Sequence, residues 1–213
     1  MSRTVKKPEE RRADIVRAAR RLFQAGDYEQ TTMQDVMNSL GIAKGTIYYY
    51  FSSKEELLEA VIEDMVEEST QHMQSLVEAS HGNALEKLRT LITAGNIADE
   101  NDEILEQLHR PGNAGMHTRL LAAALQKQAP LYARLVQQGC EEGLFHTDTP
   151  LETSEFILAG VQFLTDQGIH AWTPETLMRR SQALPTLIEN LLKAQPGSFQ
   201  FLSPDTPEER ETK

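Results

Sequence analysis

Residues 41–51 read GIAKGTIYYYF, three tyrosines in a row between two apolar residues, and the direction each ring faces decides how the surrounding chain folds. On a helix successive side chains are about 100° apart, so three adjacent rings cannot share one buried face. With Ile47 at zero, Phe51 falls at about 40° and the pair defines an inward edge, flanked by Tyr48 at about 100° and Tyr50 at about 300°. Tyr49 falls at about 200°, with Gly45 and Thr46 beside it at about 160° and 260°. The outward face is small, flat, rich in hydroxyls and without charge, a surface suited to lie against DNA. The competing reading is an ordinary three-helix core in which the tyrosines are half-buried packing.

Working outward, Thr32 is placed to cap a helix over Met33–Leu40 with Asp35 in its first turn, and Gly41 stops it after two turns. Upstream, Ile15, Ala18, Ala19, Leu22 and Phe23 form an i, i+3, i+4, i+7, i+8 stripe that ends near Ala25-Gly26. Downstream, Ser53-Lys54-Glu55-Glu56 has capping-box spacing for a fourth helix. Helix, short helix, tight turn, short helix is the pattern of a helix-turn-helix. The fourth helix is long, its stripe running through Leu57, Leu58, Val61, Ile62, Met65, Val66, Met73, Leu76 and Val77 to His81-Gly82. At about 28 residues it spans roughly 40 Å and is expected to join two domains. Helices are expected at 83–99, 101–109, 116–128, 130–142, 151–167 and 174–193, separated at Pro111-Gly112, Pro130, Gly143, Pro150 and Gly168. No segment shows strand-like alternation.

The expected fold is therefore all-α: an N-terminal three-helix helix-turn-helix domain over 1–52, joined by a long helix to a larger helical ligand-binding and dimerisation domain over 53–194. Residues 195–213, rich in Pro, Ser and charge, are expected to be a flexible tail, with Phe199, Phe201 and Leu202 as the residues able to dock.

Composition narrows the function. The chain has 213 residues, 39% of them hydrophobic, as in a soluble globular protein. No run approaches the roughly 18 apolar residues of a spanning helix, and MSRTVKKPEERR lacks the apolar core of a signal peptide. A cytoplasmic protein with no membrane partner is expected. Cys140 is the single cysteine, so no internal disulfide forms. The net charge is −11, yet residues 1–58 carry ten Lys or Arg against eight Asp or Glu, leaving −13 for the remainder. A basic N-terminal end on an acidic body binds a phosphate backbone locally and discourages indiscriminate sticking. There is no glycine-rich phosphate loop and no nucleophile motif, and Cys140 has no His near it in sequence. Neither catalysis nor a cofactor is expected.

Taken together, RRADIVRAARRLFQAGDYEQTTMQDVMNSLGIAKGTIYYYFSSKEELLEAVIE resembles the DNA-binding domain of the tetracycline-repressor (TetR) family of bacterial regulators. The linked features are the Leu-Phe end of the first helix, the Gly-Asp-Tyr turn, the Thr-capped second helix, Lys44 to Tyr48, Tyr50-Phe51 and Ser53 to Glu55. The resemblance covers about a quarter of the chain and carries no ligand class. It implies that the third helix enters the major groove of double-stranded DNA. Gly45 then lets the backbone approach, and Thr46 offers a hydroxyl and a methyl to a base edge. Tyr48 and Tyr49 donate to phosphate oxygens, with Tyr50 close to the backbone. Lys44, Lys54 and the amide end of the helix capped at Thr32 hold phosphates and set register. One departure stands out: Ala43 occupies the position where the family commonly caps the third helix with Ser.

Two further surfaces are read from the C-terminal part. Leu177, Ser181, Leu184, Ile188 and Leu191 are spaced as a helix seam, and Phe156, Gly160, Phe163, Leu164 and Gln167 line one side of the preceding helix. They are expected to form a four-helix bundle across a twofold axis, as the resemblance also implies; the alternative is packing within one subunit. A homodimer places two recognition helices roughly 34–36 Å apart and requires a palindromic operator. A sensor is expected in the middle of the chain, where His72, Asp99 and His117 fall on apolar stripes; Met65, Asn96, Met116 and Phe163 are candidate lining for an unidentified small-molecule effector. Core histidines bonded to backbone carbonyls are the plainer alternative. No short ligand spacing supports a metal site from His72, Asp99 and His117.

The sequence therefore points to a dimeric transcriptional regulator, a repressor released from its operator by a small effector. A regulator without an effector, and a ligand-binding or protein-interaction module with incidental DNA affinity, remain as alternatives.

Overall fold

The computed structural model describes residues 7–26, 28–97, 109, 113–168 and 170–203. Among them are eight α-helices and no strand, the all-α class expected. In chain order they are α1 (Pro8–Ala25), α2 (Met33–Leu40), α3 (Lys44–Tyr50), α4 (Lys54–Ala79), α5 (Ala84–Ile97), α6 (Ala114–Glu141), α7 (Pro150–Thr165) and α8 (Pro174–Leu192), followed by a 3-10 turn at Gln200–Leu202.

The chain divides into two compact units, Met1–Ser69 with Asn101–Ala123, and Thr70–Glu100 with Ala124–Lys213. In the first, α1 buries Ile15, Ala19 and Phe23, α2 buries Val36 and Met37, and α3 buries Ile47 with Phe51 just beyond it. Leu57, Leu58 and Val61 on α4 complete that core. Gly41 ends α2 in the left-handed region, φ 61°, where the Ile42 N–H reaches the Met37 carbonyl at 3.1 Å. That reversal turns α3 away from α2 within three residues. Arg20 on α1 reaches Glu68 on α4 at 2.6 Å, an exposed pair worth under about 1 kcal/mol. Apolar burial, not ion pairing, holds this unit together.

In the second unit a core forms from Met73, Ala84, Leu88, Leu91, Leu131, Leu135, Phe145, Ile188 and Leu192. Asn83 and Glu86 cap α5 reciprocally, at 3.0 and 2.8 Å, so its first turn is satisfied locally. Gly139 is required by packing: a Cβ there would lie 2.1 Å from the Phe145 ring.

Two expectations change. Pro130 does not separate two helices; it lies inside α6. Proline removes the N–H that would meet the Gln126 carbonyl, but both residues are exposed, so water can satisfy that oxygen and the helix continues. The expected tail from 195 does not begin there, because Phe199 is 2% exposed and belongs to the second core. Its backbone N–H donates to Glu189 Oε1 at 3.0 Å, and its ring lies 6.0 Å from that of Phe145. Enough apolar area is buried there to order residues that composition alone assigns to a tail. The helix expected at 101–109 lies outside the described residues apart from His109, which sits in a turn.

Candidate nucleic-acid interface

Helix α3 is short because its ends are set by different forces. No side chain caps it at Ala43, where the Thr46 N–H instead closes on the Ala43 carbonyl at 2.9 Å. At the other end Phe51 leaves the helix in extended backbone and drives its ring into the core. Ile47 and Phe51, 0% and 1% exposed, hold the helix by its inner edge and leave the opposite edge to solvent. Tyr49 is 79% exposed and Tyr48 42%. Thr46 and Tyr50 are half-buried, and Gly45 and Lys44 are exposed. Nothing lies within 4 Å of where a Gly45 Cβ would stand. The Tyr49 and Tyr50 rings meet edge to face at 5.0 Å, which orders both side chains. Lys44 Nζ lies 5.6 Å from the Tyr48 ring centre. The outward face read from the sequence is thus an ordered, uncharged surface with a lysine at its start.

Beside it, Thr32, Met33, Gln34, Lys44, Tyr48 and Lys54 line a groove of about 410 Å³. Thr32 closes a reciprocal cap: its Oγ1 accepts from the Asp35 N–H at 3.2 Å, and Asp35 Oδ2 accepts from the Thr32 N–H at 2.9 Å. The Thr32 hydroxyl, donating to Asp35 at 2.6 Å, holds that carboxyl below the usual Asp range. A second cap opens α4. Ser53 Oγ accepts from the Glu56 N–H at 3.1 Å, while Glu56 Oε2 accepts from the Ser52 hydroxyl and N–H at 2.6 and 2.7 Å, lowering its pKa.

Lys54 is more constrained than its sequence position suggests. Its Nζ donates to the carbonyls of Tyr28 and Glu29 at 2.9 and 3.2 Å and lies 4.2 Å from the Tyr28 ring centre. The ammonium therefore holds the turn between α1 and α2. A lysine ammonium has three protons, so one remains for a ligand in the groove.

Among the described residues of this unit, Asn113, which sequence reasoning passed over, is the most completely enclosed polar residue, at 0% exposure. An asparagine just before a helix reads as a local cap. Its side chain instead bonds the α1–α2 turn.

The sensor candidates scatter. In the first unit Met116 and His117 are 1% and 4% exposed, with the His117 ring 5.0 Å from that of His109, and Met65 is half-buried. His72 is exposed, which corrects its placement on the α4 stripe. The buried residues there are Val66, Thr70 and Met73, and His72 points about 100° away from Met73. Asp99 and the side chain of Asn96 lie outside the described residues.

The second unit carries an apolar strip. On α7 Phe156, Phe163 and Leu164 are 67%, 55% and 40% exposed, and Gly160 between them faces open space. Gln167, just past α7, is exposed. On α8, which packs against α7, Leu187 and Leu191 are 51% and 40% exposed. Leu177, Ser181 and Leu184 are half-buried. Ile188 does not belong to the exposed seam; at 6% exposure it turns into the core with Leu192. Leu187, absent from the predicted seam, takes its place because the outward edge of α8 lies about 60–100° round from Ile188.

Comparison with known proteins agrees with this anatomy. Residues 15–61 match the family described as bacterial regulatory proteins, tetR family, and residues 96–186 match the tetracyclin repressor-like C-terminal domain. The uncharacterized HTH-type transcriptional regulator YfiR of Bacillus subtilis (strain 168) is 30% identical over 156 residues, covering 68% of this chain and 73% of its own. The HTH-type transcriptional repressor KstR2 of Mycolicibacterium smegmatis is 26% identical over 158 residues, 70% of this chain and 74% of its own. Among solved structures, a TetR-family regulator from Pectobacterium atrosepticum superposes with a TM-score of 0.60 at 22% identity, over 89% of this chain and 98% of that one. RolR, solved with the ligand resorcinol, gives 0.67 at 16% identity over 94% and 96%. Both share the fold. Together with the helix-turn-helix geometry, the sequence matches establish that this chain belongs to the TetR family of transcriptional regulators, DNA-binding proteins and not enzymes.

Proposed function

We propose that the protein is a homodimeric repressor that reads a palindromic operator through the outer face of α3 and leaves it when a small molecule binds its C-terminal part. The observation that carries the reading is the exposed, ordered and uncharged face of Gly45, Thr46 and Tyr49 on a helix held from behind by Ile47 and Phe51. Gly45 admits close approach of the DNA backbone, and Thr46 offers its hydroxyl and methyl to a base edge. Tyr48, Tyr49 and Tyr50 meet phosphates, as do Lys44, the remaining proton of Lys54 and the free amides at the start of α2 behind Thr32.

Dimerisation is supported by the exposed strip of Phe156, Phe163, Leu164, Leu187 and Leu191, an apolar surface of the kind that a second copy covers. An effector is supported by the ligand in the structure of RolR and by the match of residues 96–186 to the C-terminal domain. Repression is supported by likeness to KstR2. Release requires an effector that binds the DNA-incompetent arrangement more tightly, by roughly 10⁴-fold to move the population from 1:99 to 99:1.

The test is selection of genomic fragments by the purified chain, followed by titration against competitor DNA at rising salt. Recovery of one inverted sequence whose affinity falls steeply with salt supports the reading. Equal retention of all fragments contradicts it.

A further inference from the structure

The carboxamide of Asn113, one residue before α6, bonds to three backbone groups of a segment 85–90 residues away. Its Oδ1 accepts from the Tyr28 N–H at 2.5 Å, and its Nδ2 donates to the carbonyls of Gly26 and Phe23 at 3.4 and 3.5 Å. Phe23 lies in the last turn of α1, where carbonyls have no partner within the helix, and the Gly26 N–H already closes on Leu22 at 3.0 Å. One distant side chain therefore caps α1 and pairs the turn that follows it.

That turn has little slack. Tyr28, 7% exposed, packs edge to face on Phe23 at 5.1 Å. Lys54 holds the Tyr28 and Glu29 carbonyls from the other side. The same turn leads into the Thr32 cap of α2 and so fixes where α2 and α3 begin. At the other end of the contact, Met116 and His117 anchor the first turn of α6 in the core, and α6 continues to Glu141. A shift of that first turn must either carry the α1–α2 turn with it or strip this partner from three backbone polar groups, two of them in buried contacts.

We propose that Asn113 is the positioning residue through which the start of α6 sets the angle of α1–α3, the DNA-reading head. This rests on the assignment of α3 as the DNA-contacting face. Coupling between sites is reciprocal, so DNA held by the head must in turn steady the first turns of α6. The inference can therefore be tested without knowing the effector.

The experiment is hydrogen–deuterium exchange on the full chain, alone and saturated with a duplex recovered by the genomic selection, for wild type, Asn113→Ala and Asn113→Ser. In wild type the duplex slows exchange of the amides of residues 118–123 by about fivefold or more. In either variant that folds, saturation with the same duplex leaves those amides unchanged although α3 is still protected. Slowing in a variant equal to that in wild type overturns the proposal, as does a wild type that binds the duplex without slowing 118–123. Failure of wild type to bind any duplex instead overturns the DNA reading itself, and is visible before any variant is made.

Discussion

At the scale of single residues, the interface depends on which side chains the inner edge of α3 leaves free. Tyr49 is 79% exposed and its ring contact is with Tyr50, not with the core, so its loss should cost little stability. Thr46→Ala and Tyr49→Ala are each expected to weaken operator binding by about 1–3 kcal/mol, roughly five- to 150-fold, with thermal unfolding little changed. Tyr49→Phe separates the hydroxyl from the ring: a loss close to that of Tyr49→Ala assigns the effect to the hydrogen bond. Anisotropy titration of the selected duplex reads all three, and full affinity in both alanine variants removes α3 from the groove. The direction of the rings was legible in the sequence, since a period of 3.6 and two large apolar residues suffice to orient a two-turn helix. Asn113 was not, because its partners are fixed only by the tertiary fold.

Among elements, the caps were the readable part. Thr32, Gly41 and Ser53 act on neighbours three to five residues away, so their chemistry determines their role without the rest of the molecule. Pro130 was misread because the same missing N–H is harmful in a buried helix and tolerable where the Gln126 carbonyl faces water. His72 and Ile188 were misplaced by about 60–100°, as a stripe drifts along a helix longer than a few turns. The caps also make a pH prediction. Asp35 and Glu56 have pKa values lowered by hydrogen bonds from Thr32 and Ser52, so the unfolded chain binds their protons more readily. Their contribution is present above about pH 4 and is lost as pH falls below it. Asp35→Asn with Glu56→Gln should lower the unfolding temperature at neutral pH and flatten its decline between about pH 5 and 3. An unchanged acid slope would contradict the capping roles. In the second core, Gly139→Ala should destabilise by about 1–3 kcal/mol in urea unfolding, because its methyl would collide with Phe145, and Phe145→Leu should recover part of the loss.

For the whole molecule, the proposed repressor needs both a reading head and a pairing surface, and each can fail separately. Phe156→Asp with Leu191→Asp places charge on the exposed apolar strip without touching the core around Ile188 and Leu192. Sedimentation should then report single chains, where wild type is expected to give dimers. Operator affinity should fall by more than tenfold while circular dichroism is retained, since one head makes only half of the contacts. Persistent dimers would move the pairing surface elsewhere. The most direct test of the central claim is a hydroxyl-radical footprint of the wild-type protein on its selected duplex. Two protected patches related by inverted symmetry, their centres about one helical turn or a small multiple of it apart, are predicted. A single unsymmetric patch, or protection spread evenly along the duplex, would contradict it.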